Sequence, residues 1–130
     1  MFRVVNSTVN TIPLSQLKIR YWFTRDTARP IVYRCVYARL GCANITGTTV
    51  LLTIPRPNAD AYLEVGFTTA AGNLGVNGTT NEIETLLRKD NWTNFTQSND
   101  YSFDGSKITY TQWTNVTLYR NAVLVWGTEP

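Results

Sequence analysis

Polar and apolar residues alternate with a period of two along much of this chain, most cleanly from Leu17 to Phe23. Leu17, Ile19, Tyr21 and Phe23 fall on one side of an extended strand, and Lys18, Arg20 and Trp22 on the other. The pattern predicts a strand half sunk in a core, with Trp22 on its wet side. A second run, Ala61 to Phe67, puts Ala61, Leu63, Val65 and Phe67 inward and Tyr62 and Glu64 outward. Further strands are predicted near 31–39, 48–54, 80–87, 115–120 and 123–126. Turn-forming residues divide them at 26–30, 55–58, 72–78 and 104–106. Helical spacing never persists beyond two turns. Many short strands between Gly, Pro, Asn and Asp turns imply an all-β domain of two packed antiparallel sheets.

Composition fits one such domain over residues 1–130, since 43% of the residues are hydrophobic and only 16% charged. The formal charge of +3 comes from basic residues scattered singly, apart from the pair Arg88-Lys89, which argues against nucleic acid as a partner. No apolar run approaches the length of a membrane span, and the start, from Met1 to Asn6, alternates instead of forming the core of a signal peptide. A secreted form would carry its signal outside this chain. Cys35 and Cys42 stand seven apart in a sequence without histidine, so a zinc site lacks its parts. A small local disulfide or two buried thiols remain. Asn6, Asn44, Asn77, Asn91, Asn94 and Asn115 each open an N-x-Thr triplet, the acceptor pattern for a glycan.

Two carboxylates sit where loops begin or end, Asp26 in Thr24-Arg25-Asp26 and Asp100 in Thr96-Gln97-Ser98-Asn99-Asp100. Such residues are either turn formers or, with neighbouring Thr, Asn and backbone oxygens, members of the six- to eight-oxygen shell that calcium takes. Catalytic chemistry is poorly supplied. There is no histidine, no Ser or Cys nucleophile motif, and no pair of free carboxylates fit to face one another across a glycosidic bond.

Several long motifs carry a resemblance over nearly the whole chain. They are Asp90 to Phe103 (Asp-Asn-Trp-Thr-Asn-Phe-Thr-Gln-Ser-Asn-Asp-Tyr-Ser-Phe), Tyr110 to Trp113, and Asn121 to Pro130. Pro13 to Thr24, Gly41 to Gly47 and Ala59 to Glu64 precede them in matching order. Together they resemble the family 3 carbohydrate-binding modules. The resemblance implies a secreted, non-catalytic jelly-roll sandwich that attaches a tethered glycoside hydrolase or scaffoldin to cellulose or a related β-glucan. It further implies one structural calcium at Thr24, Asp26, Thr96, Asn99 and Asp100, and a Cys35–Cys42 disulfide.

Cellulose-binding members carry an aromatic strip and an Asp–Arg ion pair on one sheet face. The aromatic positions fall here on Trp92 and Tyr37, while the ion-pair positions hold Val36 and Leu86, and the loop between Leu40 and Cys42 is shortened. On the opposite sheet the family's shallow groove maps onto Arg20, Trp22, Tyr62, Glu64 and Tyr101, a surface suited to a peptide, a linker or a single glycan chain. The family's first strand has no counterpart in this chain. Its absence, with the apolar Val36 and Leu86, implies an alternative: a helper or structural module that packs against a partner or self-assembles through an open sheet edge.

Overall fold

A computed structural model describes residues 1–130. Nine strands follow one another in the chain: β1 (Ile12–Pro13), β2 (Leu17–Phe23), β3 (Ile31–Ala38), β4 (Ile45–Arg56), β5 (Ala59–Phe67), β6 (Asn73–Leu74), β7 (Ile83–Lys89), β8 (Val116–Arg120) and β9 (Val123–Trp126). The predicted strand at Leu17 to Phe23 has its predicted bounds, because each inward residue finds the core and nothing in the run breaks the ladder. β4 is longer than predicted at both ends. It carries Pro55 within it, which an edge strand tolerates because a missing N–H there breaks no interior ladder.

The larger sheet has the order β4-β5-β2-β8-β9, every pair antiparallel. Facing it, β3 pairs with β7, and bridges from Phe2 to Ile83 and from Val5 to Thr79 add the first residues to that second layer. Leu17, Ile19, Phe23, Ala61, Leu63, Val65 and Phe67 meet Ala38 and Ile83 between the layers, with Tyr33, Cys35 and Leu87 packed against them. This is the predicted inward face of both clean strands. Tyr33 also lies against Gly47 of β4, where any side chain would collide with its ring.

Cys35 and Cys42 form a disulfide that ties β3 to the short 3-10 turn Cys42–Asn44. Asn121 and Ala122, both at positive φ, make the two-residue connection between β8 and β9. No helix is long and apolar enough to cross a membrane.

Two expectations change at this level. Trp22 does point away from the sandwich core, but it is only 1% exposed. Strand alternation fixes the side of a sheet and not what covers that side. Asn6 is likewise buried, with its amide donating to the carbonyls of Asn10, Leu74 and Gly75, so this triplet offers no glycan acceptor in the folded chain.

Candidate functional site

Three regions collect the residues that the sequence singled out. The first lies where β2 runs out and brings together Thr24, Asp26, Thr96, Asn99 and Asp100. The Thr24 N–H donates to Asp100 Oδ1 at 2.8 Å and its hydroxyl to the Asn99 carbonyl at 3.0 Å. Asp26 adopts φ 62°, which turns its carboxylate back toward the 96–100 segment. There Oδ2 accepts the Thr96 N–H at 2.8 Å and Oδ1 the Asn99 amide at 3.0 Å. Lys89, only 2% exposed, reaches the same carboxylate at 3.4 Å and the Asn94 carbonyl at 2.9 Å.

The two carboxyls respond in opposite directions. Burial is the largest single influence on Asp26 and raises it, but the Thr96 N–H, the Asn99 amide and the Lys89 ammonium together outweigh it and hold the group below the usual carboxylate range. Burial pushes Asp100 up to about 6 despite the Thr24 N–H, with the negative charges of Asp26 and Asp60 adding to the rise. Meanwhile Asn99 Oδ1 is buried with no hydrogen-bond partner. An orphaned buried acceptor beside two carboxylates is a donor set that suits a hard divalent cation of the calcium type. Lys89 gave no sign of this position in the sequence, where it read as half of a surface basic pair.

The second region is the outer face of β3 and β7. Tyr33, Cys35 and Leu87 point to the core, so Val32, Arg34, Leu86 and Arg88 point outward. A bulge between Cys35 and Tyr37 leaves Val36 without a partner and places two consecutive side chains at the surface, Val36 at 48% and Tyr37 at 46% exposed. Beyond β7, Trp92 takes φ 62° and donates its N–H to the Lys89 carbonyl, which lifts the indole into solvent at 67% exposure. The Arg88 guanidinium lies 4.0 Å from its ring centre. At the far end, Tyr37 and Tyr110 line a shallow cleft with Arg3, Arg39, Asn81 and Glu82. Arg3 stands 4.4 Å from the Tyr110 ring centre. Sequence reasoning found Trp92 and Tyr37 but missed Tyr110, whose neighbour Arg3 is more than a hundred residues away.

The third region is the outer face of the five-stranded sheet. The Arg20 guanidinium lies between the rings of Tyr62 and Tyr119, at 4.4 and 4.1 Å, and its Nε donates to Glu64 Oε2 at 2.9 Å. Trp22 donates Nε1–H to the Thr117 hydroxyl at 2.9 Å, and Tyr62 and the Arg56 guanidinium cover its ring. Glu129 accepts from Arg56 and from the Tyr119 hydroxyl, and the Tyr101 hydroxyl donates to the Thr128 carbonyl. Arg20, Tyr62, Glu64 and Tyr101 are half-buried here, and the expected aromatic platform of Trp22 is not part of the accessible surface.

Comparison with known proteins then places the chain. The family described as "Cellulose binding domain" matches residues 1–127. A xyloglucanase of Paenibacillus sp is 40% identical over 129 residues, covering 99% of this chain and 12% of that protein. Exoglucanase-2 of Thermoclostridium stercorarium is 41% identical over 129 residues, covering 99% of this chain and 14% of that enzyme. The chain thus spans about an eighth of the length of these relatives. Among solved structures, CBM3b of the major scaffoldin subunit ScaA from Acetivibrio cellulolyticus superposes with a TM-score of 0.93 at 40% identity, covering 98% of this chain and 83% of that one.

Proposed function

The chain belongs to the family 3 carbohydrate-binding modules, and from that premise we propose that the outer face of β3 and β7 lies flat on cellulose or a related β-glucan. As a member of that family it is a jelly-roll sandwich and a binding module, not a catalytic domain. One observation carries the reading: Trp92 and Tyr37 are both exposed on this one face. Pyranose rings present apolar C–H faces, and exposed aromatic rings supply the matching contact. Binding of this kind would act by proximity, raising the concentration of polymer around a tethered glycoside hydrolase or scaffoldin. An extracellular setting suits the disulfide.

The cluster of Thr24, Asp26, Thr96, Asn99 and Asp100 would hold a structural calcium, which when bound would neutralise the two carboxylates. Asn99 Oδ1 and the Asp26 carboxylate would turn to it, and Thr24 keeps Asp100 in place through its N–H. The segment that follows Trp92 is thereby tied to the end of β2.

Depletion from solution by microcrystalline cellulose tests the binding reading. Wild type should be depleted, and Trp92→Ala should lose most of that depletion with an unchanged melting temperature, since an indole this exposed supports little of the core. Absence of wild-type depletion, or equal depletion by the variant, would overturn it.

A second reading rests on the unpaired side of the Phe2–Val5 segment, which bridges Ile83 of β7 and the preceding Thr79 on one side only. An open edge of this kind accepts a strand, and a second copy could supply it. Sedimentation or gel filtration over a concentration series should show dimers under this reading, and a monomer at every concentration would remove it.

A further inference from the structure

The basic side chains of this molecule divide by face. Arg20 pairs with Glu64, Arg25 with Asp60, Arg29 with Asp90, Arg56 with Glu129, Lys89 with Asp26 and Lys107 with Asp104, and Lys18 stands 3.8 Å from Glu64. Arg120 donates to the Gln16 side-chain oxygen instead. The four that remain, Arg3, Arg34, Arg39 and Arg88, have no carboxylate within ion-pair distance, and all four belong to the face that carries Trp92 and Tyr37 or to its cleft. Arg34 and Arg39 are exposed. Arg88 is held against Trp92 and donates to the Lys89 and Asp90 carbonyls.

The acids on this face do not cancel the charge. Glu82 lines the cleft and Glu84 lies opposite Tyr37, which leaves a formal excess of two positive charges among these six groups. Guanidinium groups are therefore present on the face where a sugar would lie, and none of the four has a carboxylate within ion-pair distance. A guanidinium recognises a planar carboxylate through two parallel N–H donors, while an aromatic neighbour takes the apolar face of the same ring.

From this juxtaposition we infer that the β3–β7 face takes a carboxylate-bearing polysaccharide, a β-glucan with uronic acid units, in preference to the neutral polymer. Trp92 and Tyr37 contact the ring faces, and Arg34, Arg39, Arg88 and Arg3 engage the carboxylates along the strip. The inference deepens the binding reading and rests on it.

Paired binding measurements decide it, using microcrystalline cellulose and the same cellulose after oxidation of its surface C6 hydroxymethyl groups to carboxylates. Wild type should bind the oxidised polymer about tenfold more tightly at low salt, with the preference shrinking as salt rises. Arg34→Gln/Arg39→Gln should erase the preference, read as the ratio of the two affinities. The charge-matched Lys18→Gln/Arg120→Gln, on the other sheet, should keep it. Equal affinity of wild type for both polymers, or equal loss of preference in the two double variants, overturns this inference and leaves the binding reading standing. Failure of wild type to bind either polymer overturns both.

Discussion

Asn99 gives its amide to Asp26 Oδ1 at 3.0 Å while its own Oδ1 lies buried with no partner. A buried unsatisfied oxygen costs about 1–3 kcal/mol, so a cation that satisfies it should stabilise the fold. A chelator should lower the melting temperature of wild type and added calcium should restore it. Calcium at a hundredfold over its dissociation constant would contribute about 2.7 kcal/mol. Asn99→Ala should melt lower and respond little to either reagent. An identical wild-type melt with and without chelator would count against the cluster as a cation site.

Trp22 is expected to be a structural residue. Trp22→Ala should cost about 3–5 kcal/mol in urea denaturation. Trp22→Phe should cost less, chiefly through the lost hydrogen bond to the buried Thr117 hydroxyl, about 1 kcal/mol. Loss of polymer binding by Trp22→Phe without loss of stability would contradict this assignment.

The Cys35–Cys42 bridge closes a short loop, for which chain entropy gives about 2.5 kcal/mol. A reductant, or the double change Cys35→Ser/Cys42→Ser, should lower the urea midpoint accordingly while leaving the far-ultraviolet dichroism of the sandwich intact. An unchanged midpoint would mean that the reduced chain is already constrained.

Glu129 supplies a pH dependence. The hydrogen bond from the Tyr119 hydroxyl, then that from Arg56, holds its carboxyl below the ordinary value, and these outweigh burial. A depressed folded pKa gives stability that is present above the unfolded value and lost as pH falls through the folded one. Wild type should therefore exceed Glu129→Gln in stability near neutral pH, and the gap should close in acid below the ordinary carboxylate range. A gap that persists in strong acid would show that the charge is not what matters.

Much of the scaffold was legible from residue type. β2 and β5 alternate cleanly, so their core faces could be assigned before any partner was known, and Val65 and Ala61 are completely buried as that pattern requires. β4 was less legible, because Thr46-Gly47-Thr48-Thr49 has no apolar beat and Pro55 reads as a stop. β1 and β6 are two residues each and too short to show a period. The cluster of Thr24, Asp26, Thr96, Asn99 and Asp100 was drawn from family resemblance and not from spacing, since Asp26 and Asp100 are joined only by tertiary packing. Lys89 carried no signal at all: burial of a lysine depends on a carboxylate 63 residues away. Trp22 shows the limit of alternation most plainly, because its cover comes from Arg56 and Tyr62 on other strands.

The division of the arginines has a kinetic meaning. One broad face pairs Arg20, Arg25 and Arg56 with Glu64, Asp60 and Glu129, whereas the other leaves four guanidinium groups without a carboxylate partner. The field around the molecule is accordingly lopsided, and a diffusing module near a polyanion feels a torque before it makes contact. It would arrive with the Trp92 face leading, so that fewer encounters are wasted on the wrong side, and salt would abolish this alignment as it slows capture.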